Sequence, residues 1–189
     1  MFRRTLVSLA LALTLGTAGA DKVITGAFDQ GPGGAAQQFN PLTNTAGFTW
    51  LNKIYSTLVL YDVGFKKVSG DLASSWVIAD GGKKYTFILR DGVKWHDGSA
   101  FTSKDVKFSI ELANNPDSGS AFAAKFGNIT TIQTPNARTV VLTLSKPNAA
   151  LLDALTNFMI LPAAPLSKIP ARDLRTCLLY TSDAADERS

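Results

Sequence analysis

Between Asp80 and Gly98 the chain carries three Asp-Gly pairs, Asp80-Gly81, Asp91-Gly92 and Asp97-Gly98. Between the first two lies Lys84-Tyr85-Thr86-Phe87-Ile88-Leu89-Arg90. Asp-Gly favours the positive φ angles of tight turns, and the enclosed stretch is rich in aromatic and β-branched residues. Tyr85, Phe87 and Leu89 alternate with polar or solvent-facing neighbours, so they share one face of a strand. The segment therefore predicts a compact meander, with Val93-Lys94-Trp95 as a second, short strand. Thr139-Val140-Val141-Leu142-Thr143-Leu144 predicts a further strand, paired with Ile129 to Gln133 across a turn at Pro135-Asn136.

Helical signals are fewer. Thr102-Ser103-Lys104-Asp105 reads as a helix start, with a hydroxyl to cap a free N–H and a carboxylate in the first turn. Val106, Ile110 and Ala113 follow on one face, and Asn114-Asn115-Pro116 ends the run. From Phe48, the residues Leu51, Ile54, Tyr55 and Leu58 recur at helical spacing. Ala149 to Leu155 predicts a short helix, Phe158 to Leu161 an apolar run, and the Pro-rich stretch through Pro162, Pro165 and Pro170 a loop. Near the N-terminus, Val23 to Phe28 predicts a strand running into Gln30-Gly31-Pro32-Gly33-Gly34, and Asn40-Pro41 a turn.

The two ends stand apart from this domain. Arg3 and Arg4 precede an apolar run from Leu6 to Leu15, and Ala18-Gly19-Ala20 supplies small residues before Asp21. This predicts a signal peptide over residues 1–20, cut between Ala20 and Asp21. The apolar run is shorter than the ~18 residues of a membrane span, and no Cys follows it to bear a lipid, so no stable membrane anchor is expected. At the other end, Cys177 to Ser189 contains CLLYTSDAADE, which resembles the translation of a transposase sequencing adaptor, so residues 177–189 read as read-through.

Composition excludes several classes. At 46% hydrophobic and 18% charged the chain is too apolar for disorder. Lys+Arg 19 against Asp+Glu 15 are scattered rather than clustered, which argues against a nucleic-acid partner. One His and one Cys argue against a zinc site of those ligands, and no metal or cofactor is expected. Catalytic patterns are equally thin. His96 lies in the turn Trp95-His96-Asp97-Gly98-Ser99, where neighbours rarely converge on one reacting atom. Gly31-Pro32-Gly33-Gly34 lacks the spacing of a phosphate loop. Asp91, Asp97 and Asp105 all have turn or capping roles to fill before any glycosidase role. Aromatics at loop edges, among them Phe28, Phe39, Phe48, Phe122 and Phe158, suit either a ligand cleft or the ends of a core.

Leu72-Ala73-Ser74-Ser75-Trp76, followed by DGGKKYTFILRDGVKWHDGSAFTSKDVKFS from Asp80 to Ser109, closely resembles the signature of the family 5 extracellular solute-binding proteins. The resemblance extends to Phe39-Asn40-Pro41-Leu42, Ile54-Tyr55-Ser56-Thr57-Leu58 and Thr139 to Asn148. Gly70-Asp71-Leu72 departs from a more frequent Pro-x-Leu, and Asn136-Ala137 from an acidic turn. The resemblance implies an α+β or α/β chain forming the N-terminal part of a two-lobed, type II-like periplasmic binding-protein fold. A small β-rich domain is inserted in the first lobe, and the second lobe is missing. The implied organisation is residues 21–43 as the first strand and loop of lobe one, 44–160 as the inserted domain, and 161–176 as the start of the return. The implied function is that of a non-enzymatic, monomeric receptor, exported to the periplasm. It traps a peptide or other small-molecule ligand by lobe closure and delivers it to the transmembrane permease of an ABC importer. Carried over by position, the ligand wall is Thr45-Ala46-Gly47-Phe48, Phe122 and Phe158. A secreted carbohydrate-binding or glycosidase-type module is the alternative, and it requires stacking Trp residues or two free carboxylates.

Overall fold

The computed structural model describes residues 40–43 and 51–177. Among them, β1 (Val59–Tyr61) and β2 (Val68–Gly70) form an antiparallel hairpin. A four-stranded antiparallel sheet contains β3 (Ala73–Ala79), β4 (Lys84–Leu89), β5 (Ile129–Asn136) and β6 (Thr139–Leu144), in the order β3-β4-β6-β5. The helices are α1 (Ser103–Asn114), α2 (Ala123–Phe126), α3 (Leu151–Thr156), α4 (Ala163–Leu166) and α5 (Ala171–Cys177). The predicted strand Val23 to Phe28 and the Gly-rich stretch after it lie outside the described residues, as do the signal peptide and residues 178–189.

Alternation places β4 as expected. Tyr85, Phe87 and Leu89 are buried, whereas Lys84 and Ile88 are exposed. Phe87 stands opposite Val140 and Tyr85 opposite Leu142, so β6 extends the same apolar face. The helix α1 covers that face from the β5–β6 side with Val106, Ile110 and Ala113, all buried. Each large apolar side chain sealed in this way contributes about 1.5–3 kcal/mol. All three Asp-Gly pairs are turns, with Gly81, Gly92 and Gly98 at positive φ.

The predicted helix start is a complete capping box. The Thr102 hydroxyl accepts from the Lys104 N–H, and the Asp105 carboxylate accepts from the Thr102 N–H at 2.7 Å. The helix ends at Asn115-Pro116, where Pro cannot continue it.

Elsewhere the structure corrects the local reading. Ile54 and Tyr55 donate to the Leu51 carbonyl as one helical turn, but Leu58 lies in an extended segment where its carbonyl accepts from Asp71 and Ala73. The helical spacing arises because a single turn, of which only Leu51 is buried, is followed by consecutive buried residues, Leu58 and Val59. Val93-Lys94-Trp95 makes a single bridge, Lys94 to Ala100, instead of a strand. β3 carries no sequence expectation: as an edge strand it leaves Val77 and Ile78 exposed, and period-two alternation is lost.

Pro135 lies within β5 rather than in the turn, which is Ala137-Arg138. A proline is tolerated there because β5 is an edge strand and the register is irregular between Gln133 and Asn136. Asn136 still shapes the turn, through its Oδ1 accepting the Arg138 N–H at 2.8 Å. The Pro-rich stretch is also ordered into helices. Pro162 and Pro170 precede α4 and α5, and Pro165 falls in a first turn, where its missing N–H costs nothing. Leu161, Leu166 and Leu174 join the same core as the sheet.

Candidate functional site

The stretch around the Asn40-Pro41 turn is fixed by side-chain bonds far along the chain. The buried Asn40 accepts from the Leu42 N–H at 2.9 Å and donates to the carbonyls of Leu174 and Arg175, at 2.9 and 3.0 Å. The Leu42 carbonyl in turn accepts the Ala121 N–H at 3.0 Å. Residues 40–43, the approach to Phe122 and helix α5 are therefore one assembly. Past the segment 44–50, Ser56 accepts from the Ile160 N–H and Thr57 bridges Met159. The expected wall residues Thr45, Ala46, Gly47 and Phe48 lie outside the described residues, but both described flanks are anchored, one beside Phe122 and the other beside Phe158.

Phe122 and Phe158 themselves meet. Their ring centroids are 5.1 Å apart and nearly edge-to-face, and Phe126 completes a trio at 4.7 Å from Phe158 and 5.9 Å from Phe122. Such geometry sets the positive ring edge against a negative ring face. Phe158 is 1% exposed and Phe122 5%, so both pack within the core. The Lys125 ammonium lies over the Phe122 ring, 5.3 Å from its centroid. Phe126 is absent from the sequence reading, although its spacing from Phe122 is that of neighbours on one helical face.

Each of the carboxylates named as possible acids is engaged in a turn, a cap or an ion pair. Asp91 accepts from the Gly92 N–H and pairs with Arg138 at 3.1 Å. Asp105 caps α1 and also accepts the Ala163 N–H at 2.8 Å, joining the two helices. Ser99 donates its hydroxyl to Asp97 at 2.6 Å, so it is committed to the carboxylate and not to the exposed His96. Trp76 and Trp95 pack against the core, and Trp95 stands edge-to-face with Phe101. Both are half-buried. Among the described residues no group of His, Cys, Asp and Glu is placed to hold a metal.

The Asp97 turn carries a pH prediction. The hydroxyl and N–H of Ser99, aided by nearby His96, hold the Asp97 carboxyl below the usual carboxylate range. A lowered folded pKa means that the ionised carboxylate steadies the turn above the unfolded pKa. That contribution is lost as pH falls through the folded value. In an NMR titration the Asp97 midpoint should lie below that of an ordinary aspartate, and Ser99→Ala should move it upward. An unmoved midpoint in the variant would remove Ser99 as the cause.

An open polar groove of about 600 Å³ is lined by Lys125, Asn128, Lys146, Asn148 and Asp153 among others. Asn148 is held there through its carbonyl, which accepts the Tyr85 hydroxyl at 2.9 Å.

Comparison with known proteins accounts for this arrangement. The model of bacterial extracellular solute-binding proteins, family 5 Middle, matches residues 67–187. A putative ABC transporter peptide-binding protein of Brucella ovis is 44% identical over 174 residues, covering 92% of this chain and 32% of the relative. The probable D,D-dipeptide-binding periplasmic protein of Escherichia coli is 35% identical over 82% of this chain and 31% of its own. Among solved structures, NikZ of Campylobacter jejuni in complex with Ni(L-His) aligns with a TM-score of 0.66 and 37% identity, over 73% of this chain and 27% of that one. The oligopeptide-binding protein AppA of Bacillus subtilis, in complex with a nonapeptide, gives 0.68 at 29% identity, over 72% and 27%. The chain spans about a third of the length of the curated relatives it matches. Its mixed sheet-and-helix architecture is that of part of a two-lobed periplasmic binding protein. The chain belongs to the family 5 bacterial extracellular solute-binding proteins.

Proposed function

We propose that this chain is part of a receptor that binds peptides or similar small solutes in the periplasm, encloses them by lobe closure and passes them to the permease of an ABC importer. The observation that carries this reading is the 44% identity, across 92% of the chain, to relatives described as peptide-binding proteins of such transporters. The geometry is compatible with it. Carboxylates that a glycosidase would need are committed to turns and caps, and among the described residues the Ser99 hydroxyl is directed to Asp97 rather than to His96. No helix of the described residues is long and apolar enough to cross a membrane.

In this reading Thr45, Ala46, Gly47 and Phe48 form the ligand-facing wall, and Phe122 and Phe158 are its apolar support. The trio offers shape and no charge to a ligand terminus, so charged pairing falls to another part of a longer receptor. The test is to express the gene's whole reading frame in a bacterium and identify, by mass spectrometry, what remains bound after dialysis against mixed peptides and oligosaccharides. Retained intact peptides support the reading. Retained oligosaccharide alone, or cleavage of any offered compound, overturns it. The same preparation tests export: the periplasmic form should begin at Asp21, and retained Met1 would refute the signal peptide.

A further inference from the structure

The hairpin β1–β2 ends in a tip, Asp62-Val63-Gly64-Phe65-Lys66-Lys67, that is built to present apolar side chains to solvent. Val63 is fully exposed and Phe65 is 78% exposed. Phe65 also lies at φ +54°, in the left-handed region that bulky side chains rarely enter. Such a conformation costs energy and persists only where its surroundings enforce it. Here the enforcement comes from Asp62. Its Oδ1 accepts the N–H groups of Lys66 and Lys67, at 2.8 and 3.3 Å, while its carbonyl accepts the Phe65 N–H at 2.9 Å. The base of the hairpin is tied down by Tyr61, whose hydroxyl donates to Asp153 on α3 at 3.0 Å.

We propose that this tip is a membrane-contacting element that recognises an anionic lipid surface. Three features select that partner. The tip is convex, so it suits a soft interface better than a shaped recess. Its backbone donors at Phe65, Lys66 and Lys67 are consumed internally, which leaves little for directional recognition by a protein. What it does offer is apolar surface beside two exposed lysines, the pairing that anionic headgroups over hydrocarbon reward. The Asp62 carboxylate faces the turn, where its Oδ1 accepts two N–H groups, and the ammonium groups of Lys66 and Lys67 outnumber it, so the tip is net positive.

The test is sedimentation of the purified chain with phosphatidylglycerol–phosphatidylethanolamine vesicles and, separately, with phosphatidylcholine vesicles. The parent and all variants are the form that begins at Asp21, so the apolar run of residues 6–15 is not there to bind vesicles. Binding to the anionic vesicles should exceed binding to phosphatidylcholine and should fall as salt is raised. Lys66→Gln with Lys67→Gln should weaken it roughly 25-fold, at about fivefold per lysine. Phe65→Gly should weaken it about tenfold while leaving the melting temperature unchanged or higher, because glycine relieves the backbone. That separation of binding from stability is what a merely structural tip would not show. Equal binding by parent and variants, or no preference for anionic vesicles, would each overturn the proposal.

Discussion

Replacing Phe158 by alanine should destabilise the protein by about 3–5 kcal/mol. The ring is 1% exposed and is gripped by two others, Phe126 at 4.7 Å and Phe122 at 5.1 Å, both near edge-to-face. Truncation removes the transfer free energy of the ring and leaves a cavity bounded by two aromatic faces and the backbone that joins Thr57 to Met159. The two rings are carried by α2 and its N-cap and the third wall by the separately bridged Thr57–Met159 segment, so filling the cavity requires these two parts to shift toward each other. Since domains of this size are stable by only about 5–15 kcal/mol, the variant should unfold at a much lower urea concentration. Phe158→Leu should recover part of the loss by filling part of the space. Phe122→Ala should cost less, because one side of that ring is covered by the mobile stem of Lys125. An unchanged urea midpoint for Phe158→Ala would show that the trio does not support the fold.

Asp105→Ala should be nearly as damaging, at about 3 kcal/mol. The carboxylate is buried and both oxygens are occupied: Oδ2 by the Thr102 N–H and hydroxyl, Oδ1 by the Ala163 N–H. Alanine would leave two backbone donors without acceptors, one at the start of α1 and one at the start of α4. It would also remove a negative charge from the end of α1 where the helix dipole favours it. Asp105→Asn keeps one carbonyl oxygen and should retain about half of the stability lost in the alanine variant. Urea unfolding of the pair checks the ordering. Equal losses would mean that charge, rather than the two acceptor oxygens, carries the effect.

These two sites differ in how far they could be read from the residues. Asp105 shows its first role in the sequence, because Thr102-Ser103-Lys104-Asp105 is a capping pattern that acts within one helical turn. Its second role, accepting from Ala163, has no local mark, since 58 residues separate the two. The Phe122–Phe126 pair is legible as neighbours on one helical face, but Phe158 reaches them only through tertiary packing. The same holds for Asn40. Its turn with Pro41 follows from local chemistry, whereas its donation to Leu174 and Arg175 depends on where α5 comes to rest.

What the sequence determined by itself is therefore whatever a few consecutive residues can decide: the alternation of Tyr85, Phe87 and Leu89, the three Asp-Gly turns, the α1 cap and its Pro stop. The motif running through these elements also carried the family resemblance. The tertiary structure alone decided the rest. It drew Leu58 into an extended segment, because the carbonyl of Leu58 meets the N–H groups of Asp71 and Ala73. It admitted Pro135 to a strand because that strand is an edge, and it made Pro162 the entry to a helix, α4, where Asp105 supplies the acceptor for the Ala163 N–H. It buried Phe122 and Phe158, which loop-edge position alone left open between cleft and core. The division has a physical cause: periodicity and turn chemistry act within a turn or a strand, whereas burial and long-range hydrogen bonding are set by whichever distant element arrives as the partner.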